Sequence, residues 1–341
     1  MTRPALAGQV IRWQKQHGRH GLPWQGTRDP YRVWLSEVML QQTQVSTVLA
    51  YYPRFLLRFP TVQALAAAPL DAVLALWSGL GYYSRARNLH RGAQVVVAEH
   101  GGAFPRSSAG LQTLPGIGRS TAAAIAAFCF GERAAILDGN VKRVLTRALG
   151  FAGDLAVAAE EQRLWAAAEA LLPAKDVDIY TQGLMDLGAT LCLARRPACE
   201  RCPLAADCVA RAQGDVERYP VKTRRLKRGQ RQNAWLLLRQ GGRVHLVQRP
   251  DTGVWASLWS FSEFDSTATL EMVSAAWPGR GEWLSPLLHK LTHFDWTLHT
   301  LVWTLPSRSK MPQGLPEGRW FTVEEALALG LPAPVRQLLA P

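Results

Sequence analysis

Four of the five cysteines in this chain of 341 residues lie close together in sequence, as Cys192, Cys199, Cys202 and Cys208. Thiolates at this density repel one another unless a metal centre neutralises them, so the segment predicts either a structural zinc ion or a 4Fe–4S cluster. Zinc fingers and ribbons use two close cysteine pairs set well apart, whereas this segment has one close pair, which favours the iron–sulfur cluster. The fifth cysteine, Cys129, lies in an apolar run and is interpreted as a buried core residue.

Residues 1–213 have the periodicity of helices separated by short turns that contain Pro or Gly. Asp29 followed by Pro30 is typical of a helix start, because aspartate caps the first turn and proline is tolerated within it. Residues 120–130 are almost all alanine or larger apolar residues and predict a buried helix. We therefore expect an all-α domain over 1–213.

The composition changes after this helical region. Residues 214–233 include many basic side chains and few apolar ones, which is typical of a linker. Residues 234–341 then show β-type alternation, with a hairpin predicted at the Gly241-Gly242 turn and a long strand predicted at 293–305. The chain is therefore predicted to be multidomain, with a smaller α+β domain after the helical one.

The chain carries 39 Lys and Arg against 26 Asp and Glu, a formal net charge of +13. A positive excess of this size favours a polyanionic partner, either nucleic acid or anionic lipid. Lipid is disfavoured because no basic stripe follows an amphipathic helix and no apolar run approaches the ~18 residues of a membrane span. The N-terminal residues show no secretory signal, so we expect a cytoplasmic protein with no membrane partner.

The segment 114–122 reads Leu-Pro-Gly-Ile-Gly-Arg-Ser-Thr-Ala and leads into the predicted buried helix. Gly116 and Gly118 allow backbone amides to approach a phosphate closely, and the helix beginning near Ser120 points its dipole at the same place. This pattern is typical of a helix-hairpin-helix, which contacts the DNA backbone without reading its sequence. An ordinary turn is the alternative interpretation.

Two carboxyl groups stand in settings that would separate their protonation states. Asp138 precedes a helical pattern, and backbone amides at a helix start keep a carboxylate ionised. Glu37 lies in a helical pattern between apolar Val33 and Leu40, so partial burial would raise its pKa. One neutral and one ionised carboxyl group suit acid-assisted cleavage of a glycosidic bond. A plain helix cap and a solvated surface glutamate are the alternatives.

Together these features resemble the MutY-type adenine DNA glycosylases of the helix-hairpin-helix iron–sulfur superfamily. The resemblance rests on the four cysteines and on segments 22–24, 34–44, 79–85, 114–121, 137–143 and 185–189. It implies a helical glycosylase domain with the helix-hairpin-helix at 114–122, a cluster loop at 192–208 and one 4Fe–4S cluster. It also implies that 234–341 is a Nudix-like lesion-recognition domain. This region lacks the glutamate-rich box of Nudix hydrolases, so we expect no pyrophosphatase activity there.

The resemblance implies a monomeric enzyme of base excision repair that hydrolyses the N-glycosidic bond of adenine mispaired with 8-oxoguanine, or with G, in duplex DNA. The adenine would leave the base stack, Glu37 would protonate it, and Asp138 would stabilise the developing sugar cation. Ser120 stands where strand-cutting relatives carry a nucleophilic lysine, so a monofunctional enzyme is expected. Such a protein would act in the cytoplasm, at the bacterial nucleoid.

The resemblance also assigns roles to three groups of residues. The adenine-pocket candidates are Trp24, Gln182 and Asp186, with a core aromatic as the alternative for Trp24. The candidates for intercalation and lesion reading are Gln42, Thr43, Leu80, Tyr82, Thr292 and His293. The candidates for contact with the DNA backbone are Gly116, Gly118, Ser120, Asn140 and Lys142. In relatives a Phe-Ser-His segment contacts the oxidised base, and here Leu291 stands at the aromatic position.

Two other functions agree with part of the sequence. An endonuclease III-like enzyme acting on oxidised pyrimidines would share the hairpin, the cysteines and Asp138, but it predicts a lysine at position 120 and no lesion-reading domain. A non-catalytic DNA-binding module held together by zinc would leave Glu37 on the surface and use Asp138 only as a helix cap.

Overall fold

The computed structural model describes residues 3–223 and 227–340, and its contacts divide the chain into two units. The helical unit comprises Met1–Ala66 and Arg91–Arg225, and the sheet unit comprises Ala67–His90 and Leu226–Pro341. Residues 224–226 of the predicted linker lie outside the described residues. Within the described part of the chain, no helix is both long and apolar enough to cross a membrane.

Helices dominate the first two thirds of the chain and strands the last third. In chain order the helices are α1 (Arg3–His17), α2 (Pro30–Leu40), α3 (Val45–Arg58), α4 (Val62–Ala66), α5 (Leu70–Trp77), α6 (Ser84–His100), α7 (Ser108–Leu111), α8 (Arg119–Phe130), α9 (Gly139–Leu149), α10 (Ala158–Ala170), α11 (Val177–Thr190), α12 (Val209–Ala212), α13 (Thr267–Ser274), α14 (Val323–Leu327) and α15 (Ala333–Leu339). Short 3-10 helices lie at Cys199–Arg201 and Val216–Arg218. The strands are β1 (Gly229–Gln240), β2 (Arg243–Gln248), β3 (Trp259–Ser260), β4 (Ser262–Phe264), β5 (Arg280–Trp283), β6 (Leu287–Lys290), β7 (Phe294–Thr304) and β8 (Arg319–Thr322).

Local signals set the ends of the helices in the helical unit. α2 begins as predicted, with Pro30 in its first turn and the Asp29 side chain accepting a hydrogen bond from the Tyr31 amide at 2.9 Å. α8 covers the predicted apolar run and ends at Gly131, which has the left-handed conformation (φ +69°) that glycine tolerates best. The prediction of helix over 120–130 is thereby confirmed.

The core of the helical unit depends on small residues that allow helices to approach closely. A Cβ atom at Gly183 would lie 2.6 Å from Val10, and one at Gly188 would lie 2.5 Å from Asn140. Only glycine therefore allows α11 to pack this closely against α1 and α9. This packing brings the start of α9, where Asp138 stands, next to the helix that carries Gln182.

The sheet unit is organised around β1 and β7, which run parallel at the centre of the sheet. The sheet order is β3-β2-β1-β7-β5, with β4 paired to β1, β6 to β7 and β8 to β2. The predicted hairpin is present, with Arg239 opposite Val244 on either side of the two turn glycines. β1 begins at Gly229, inside the region predicted as linker, because Gly229 pairs with Phe294 and extends the parallel ladder.

Over residues 233–238 both faces of β1 are buried, as expected of a central strand covered on each side. Trp235 and Leu237 enter one apolar core together with Trp296, which lies on β7. Leu236 and Leu238 enter the other core with residues of α13 and β7. The α+β architecture predicted for the C-terminal region is therefore confirmed.

Candidate active site and metal centre

The helical unit contains a cavity of about 510 Å³, a size that suits a small organic group such as one nucleobase. Glu37 on α2, Gln182 on α11 and Trp24 in the segment before α2 all line it. The fold therefore brings Gln182 to Glu37 and Trp24, from which it is far apart in sequence, and the resemblance assigns all three to one reaction.

Burial changes the acidity of Glu37. Apolar Val33 and Leu40, its neighbours on the same helix face, line the cavity beside it. The loss of hydration raises the pKa of Glu37 to about 8, and the negative charge of Asp138 contributes in the same direction. The carboxyl group is therefore protonated at neutral pH and can act as a proton donor.

Asp138 is held by the first turn of α9. Its side chain caps that helix and accepts a hydrogen bond from the Val141 amide at 2.7 Å. We expected such amides to keep Asp138 ionised, but burial is the largest influence and raises the pKa of Asp138 above its usual value. The amides of Val141 and Asn140 and the positive charges on α9 act against that rise.

Ser120 braces the segment that leads to Asp138. Its hydroxyl oxygen accepts a hydrogen bond from the Leu137 amide at 2.8 Å, which ties the first turn of α8 to the residue before Asp138. A lysine side chain has no acceptor atom and could not make this bond. The Ser120 hydroxyl, predicted to contact the DNA backbone, is thus engaged within the protein.

Of the adenine-pocket candidates, Trp24 and Gln182 line the cavity and Asp186 does not. Trp24 lines the cavity and also packs edge-on against Tyr52, so it lies between the cavity and the core. Asp186 is 0% exposed and lies outside the cavity lining, so its carboxylate does not face the cavity. Its carboxylate instead accepts hydrogen bonds from the Arg19 side chain and amide and, at 2.9 Å, from Gln182 Nε2.

The bond to Asp186 fixes which end of the Gln182 amide is available to a ligand. Because the carboxylate can only accept, it holds the amide nitrogen of Gln182 and leaves the carbonyl oxygen as the acceptor for a group in the cavity. Adenine carries an exocyclic amine that can donate to such an oxygen. Asp186 therefore acts behind the cavity wall, through Gln182 and Arg19.

The sequence did not point to the basic side chains around this cavity. Lys15, Arg19, His20 and Arg28 line it, and none of them belongs to a motif with recognisable spacing. They come together because α1 and the segment that follows it fold against α2 and α11, which is a long-range arrangement.

The backbone candidates fall into two groups. Gly116 (φ +78°) and Gly118 are exposed in the turn before α8, where their amides are accessible to a phosphate. The other two polar side chains already have partners inside the protein. Asn140 accepts a hydrogen bond from Arg143 at 2.9 Å, and Lys142 forms an ion pair with Glu161.

The lesion-reading candidates lie in both units. In the helical unit, Gln42 is exposed and Thr43 partly buried in the turn between α2 and α3. In the sheet unit, Thr292 and His293 are exposed in the turn between β6 and β7. Thr292 Oγ1 lies 3.2 Å from the hydroxyl of Tyr82, a distance at which the two hydroxyls hydrogen-bond.

Tyr82 and Leu80, the two lesion-reading candidates of the 79–85 motif, differ in solvent exposure. Tyr82 is 46% exposed at the tip of its loop, as an intercalating side chain requires. Leu80 is only 6% exposed. Its assignment to lesion reading stays a prediction.

The four clustered cysteines line a small cavity of about 20 Å³ and form no disulfide. In the described part of the chain, no three His, Cys, Asp or Glu side chains are close enough to share one metal ion. Arg147, only 2% exposed, places Nη1 3.4 Å from Cys192 Sγ and also donates to the backbone oxygens of Leu193 and Ala194. A buried cation beside thiolates suits the negative charge of a cluster, so the donor set fits an iron–sulfur group.

Family models match three parts of the chain. Residues 35–169 match the HhH-GPD superfamily of base excision DNA repair proteins, 192–208 the iron–sulfur binding domain of endonuclease III, and 233–341 a NUDIX domain. A solved thermostable thymine-DNA glycosylase superposes with a TM-score of 0.56 at 29% identity, covering 62% of this chain and 97% of that one. The fold and site thus define a helix-hairpin-helix iron–sulfur DNA glycosylase with a Nudix-like domain.

Comparison with curated relatives identifies the family within this class of DNA glycosylases. The adenine DNA glycosylase of Buchnera aphidicola subsp. Acyrthosiphon pisum is 34% identical over 99% of this chain and 98% of its own length. The human adenine DNA glycosylase is 36% identical over 94% of this chain and 71% of its own length. The chain belongs to the adenine DNA glycosylase family. The resemblance, the enzyme class and the 4Fe–4S cluster predicted from the sequence are confirmed, and the zinc-held module is excluded.

Replacing Glu37 by Gln should stabilise the protein, and increasingly so as the pH rises. The pKa of Glu37 rises from 4.5 to about 8 on folding, so ionisation of this group opposes folding as the pH passes through that interval. The melting temperatures of Glu37→Gln and the native protein should therefore diverge between pH 5 and pH 9. Glu99→Gln, on the exposed surface, is the control. A difference that is independent of pH would contradict the burial of an acid at this position.

Replacing Asp186 by Asn should change which base the cavity prefers. Without the carboxylate, the Gln182 amide can turn and present its nitrogen, which suits the carbonyl of hypoxanthine better than the amine of adenine. We expect the adenine-to-hypoxanthine ratio of single-turnover excision rates to fall by about tenfold, equivalent to ~1.4 kcal/mol. Asp178→Asn changes a carboxylate that, unlike Asp186, lines the cavity, and it should leave the ratio unchanged. Equal ratios in the two variants would show that Asp186 does not orient Gln182.

Replacing Cys199 by Ser should remove the cluster, whereas replacing Cys129 by Ser should not. Cys199 lines the cysteine cavity, and Cys129 is buried in α8. Iron and sulfide content per chain, together with visible absorption, measure the result. A full complement of iron in Cys199→Ser would rule out this residue as a ligand.

Proposed function

We propose that this protein is a monofunctional glycosylase of base excision repair that removes adenine paired with 8-oxoguanine or G in duplex DNA. One observation carries the proposal: Glu37 lines a nucleobase-sized cavity, and its pKa is raised to about 8 by loss of hydration and, to a smaller extent, by the charge of Asp138 at a helix start. This arrangement supplies an acid for the base and a carboxylate for the sugar, as glycosidic cleavage requires.

The reaction begins when adenine leaves the base stack and enters the cavity. Gln182 accepts a hydrogen bond from its exocyclic amine, and Trp24 forms part of the wall. Glu37 donates its proton to a ring nitrogen while the electron pair of the N-glycosidic bond moves to the base. Asp138, ionised, stabilises the positive charge that develops on the sugar. Water then adds to the anomeric carbon and releases a proton, which the Glu37 carboxylate takes up.

The same residues support a glycosylase that does not cut the strand. Ser120 offers no amine for a Schiff base, and its hydroxyl is bound to the Leu137 amide. Lys142, the nearby amine in sequence, is ion-paired with Glu161 in the structure and is assigned to a phosphate when DNA is bound. The sugar cation is therefore captured by water.

Lesion reading involves the exposed candidates of both units. Tyr82 and Gln42 wedge into the base stack, and Thr292 and His293 contact the oxidised base with Thr43. Gly116 and Gly118 hold the backbone through their amides, with Asn140 and Lys142 contributing once their present partners are exchanged for phosphate. The net charge of +13 adds a salt-sensitive attraction to duplex DNA. The protein works as a monomer on the DNA of the nucleoid.

The cluster is held by Cys192, Cys199, Cys202 and Cys208. When bound, it cross-links the 192–208 loop and carries negative charge against Arg147. Arg195, Arg196 and Arg201 are exposed in this loop and are available to contact phosphate.

The test uses three duplexes, with adenine opposite 8-oxoguanine, G or T. After alkali treatment we expect strand breaks at adenine in the first two duplexes and none in the third. Glu37→Gln should abolish the breaks and leave binding of the first duplex within about threefold, since it removes a proton donor and no charge at neutral pH. Absence of an alkali-labile site in the first duplex contradicts the proposal. Breaks that form without alkali, or on duplexes with oxidised pyrimidines, favour the endonuclease III-like alternative.

A further inference from the structure

The segment Ala67–His90, which carries Tyr82, is fastened to the Nudix-like part of the sheet unit by side-chain hydrogen bonds. At its start, Asp71 accepts from Gln248 Nε2 at 3.0 Å and from Trp259 Nε1 at 3.3 Å. Near its end, Arg87 donates to the backbone oxygen of Ala256 at 2.9 Å. The segment is therefore attached at both ends to strands and loops of the C-terminal region.

The loop that presents Tyr82 is held more closely still. Ser78 and Tyr83 flank this loop, and both donate to the backbone oxygen of Leu331, at 3.4 Å and 2.9 Å. Arg336 Nη2 donates to the Ser78 hydroxyl at 3.1 Å. Two residues near the C-terminus thus fix the loop on both sides of Tyr82.

Within the loop, Arg85 keeps the backbone in place. Its Nη2 donates to the backbone oxygens of Leu80 and Gly81, at 3.2 Å and 3.0 Å, and its guanidinium lies over the Tyr82 ring. Tyr82 itself has a positive φ of +49°. A non-glycine residue in this region is strained and persists only where the surroundings hold it.

We infer that Arg336 and the backbone oxygen of Leu331 are positioning groups for the Tyr82 wedge. The Nudix-like region then acts on the base stack from behind Tyr82, in addition to any contact that Thr292 makes with the lesion. The inference rests on the proposed function, because it takes Tyr82 as the side chain that opens the stack.

Arg336 positions the Tyr82 loop through the planar shape of its guanidinium group. A positive charge alone would not do so. Its guanidinium also donates to the backbone oxygens of Leu327 and Leu329, at 2.9 Å and 3.2 Å, so three acceptors share one planar fork. Lysine has a single nitrogen and cannot reproduce such a fork. Lysine at position 336 should therefore behave like an uncharged residue in this role.

The experiment uses the full chain with its cluster and compares Arg336→Met, Arg336→Lys and Arg308→Met. Arg308 is an exposed arginine of the same unit and controls for the loss of charge. A 2-aminopurine placed beside 8-oxoguanine reports opening of the stack. We expect both Arg336 variants to reduce the fluorescence rise and to slow single-turnover excision by about tenfold, or ~1.4 kcal/mol. Arg308→Met should match the native protein.

A double-mutant cycle separates positioning from general stability. If Arg336 acts through Tyr82, Arg336→Met adds no further loss in a Tyr82→Ala background. Excision of adenine from a duplex whose stack is already opened by an adjacent abasic site should also be unaffected. If Arg336→Met lowers the melting temperature, Ser78→Ala takes its place in the same cycle, since it removes the hydroxyl that Arg336 binds.

The outcomes are distinct. Native protein that fails to excise adenine opposite 8-oxoguanine contradicts the proposed function itself. Native activity together with an unchanged fluorescence rise in both Arg336→Met and Ser78→Ala, or additive losses in the Tyr82→Ala background, overturns the positioning role alone.

Discussion

The chemistry proposed for this protein depends on the environment of the Glu37 carboxyl group, whose pKa is raised first by loss of hydration and then by the electrostatic interaction with the charge of Asp138. Such an interaction is strong only where water is excluded and only over a short distance. Several otherwise unrelated features preserve both conditions. The Asp29 cap starts α2 at the right residue, the Ser120–Leu137 hydrogen bond fixes the approach to Asp138, and Gly188 allows α11 to pack against α9. Each of these features helps to fix the positions of the Glu37 and Asp138 carboxyl groups.

Features with a local cause could be predicted from the sequence. The start of α2, the extent of α8 and the β1–β2 hairpin follow from Asp-Pro, an alanine-rich run and a Gly-Gly turn, all of which act within a few residues. The candidate acid was found in the same way, from apolar neighbours one turn away. The position of Asp186 behind Gln182 and the burial of Leu80 could not be predicted from neighbouring residues in the sequence. They depend on partners far away in sequence, such as Arg19.

Three arginines also show that the neighbours of a residue in sequence do not determine which groups its side chain contacts. Their neighbours in sequence suggest that Arg85, Arg119 and Arg143 contact a duplex. In the structure, Arg85 holds the Tyr82 loop, Arg119 lies against Trp165 and pairs with Glu169, and Arg143 donates to backbone oxygens at Gly188 and Cys192. Because an arginine fork can satisfy several carbonyls at once, it can brace a loop as readily as it binds phosphate. The net charge therefore overstates the number of cations available to DNA.

The segment Ala67–His90, which carries Tyr82, belongs to the sheet unit, although the residues before and after it in sequence belong to the helical unit. In sequence it lies between Glu37 and Asp138, so the chain joins it at both ends to the helical unit, yet its hydrogen bonds run to the C-terminal region. Removing residues 234–341 would delete the lesion-reading turn and, in the same step, the Leu331 and Arg336 groups that hold the loop. Loss of selectivity in a truncated chain would therefore not distinguish reading by Thr292 from support of Tyr82. A single substitution at Arg336 separates the two roles, because Arg336 binds Ser78 and leaves Thr292 unchanged, whereas Thr292 itself hydrogen-bonds the Tyr82 hydroxyl.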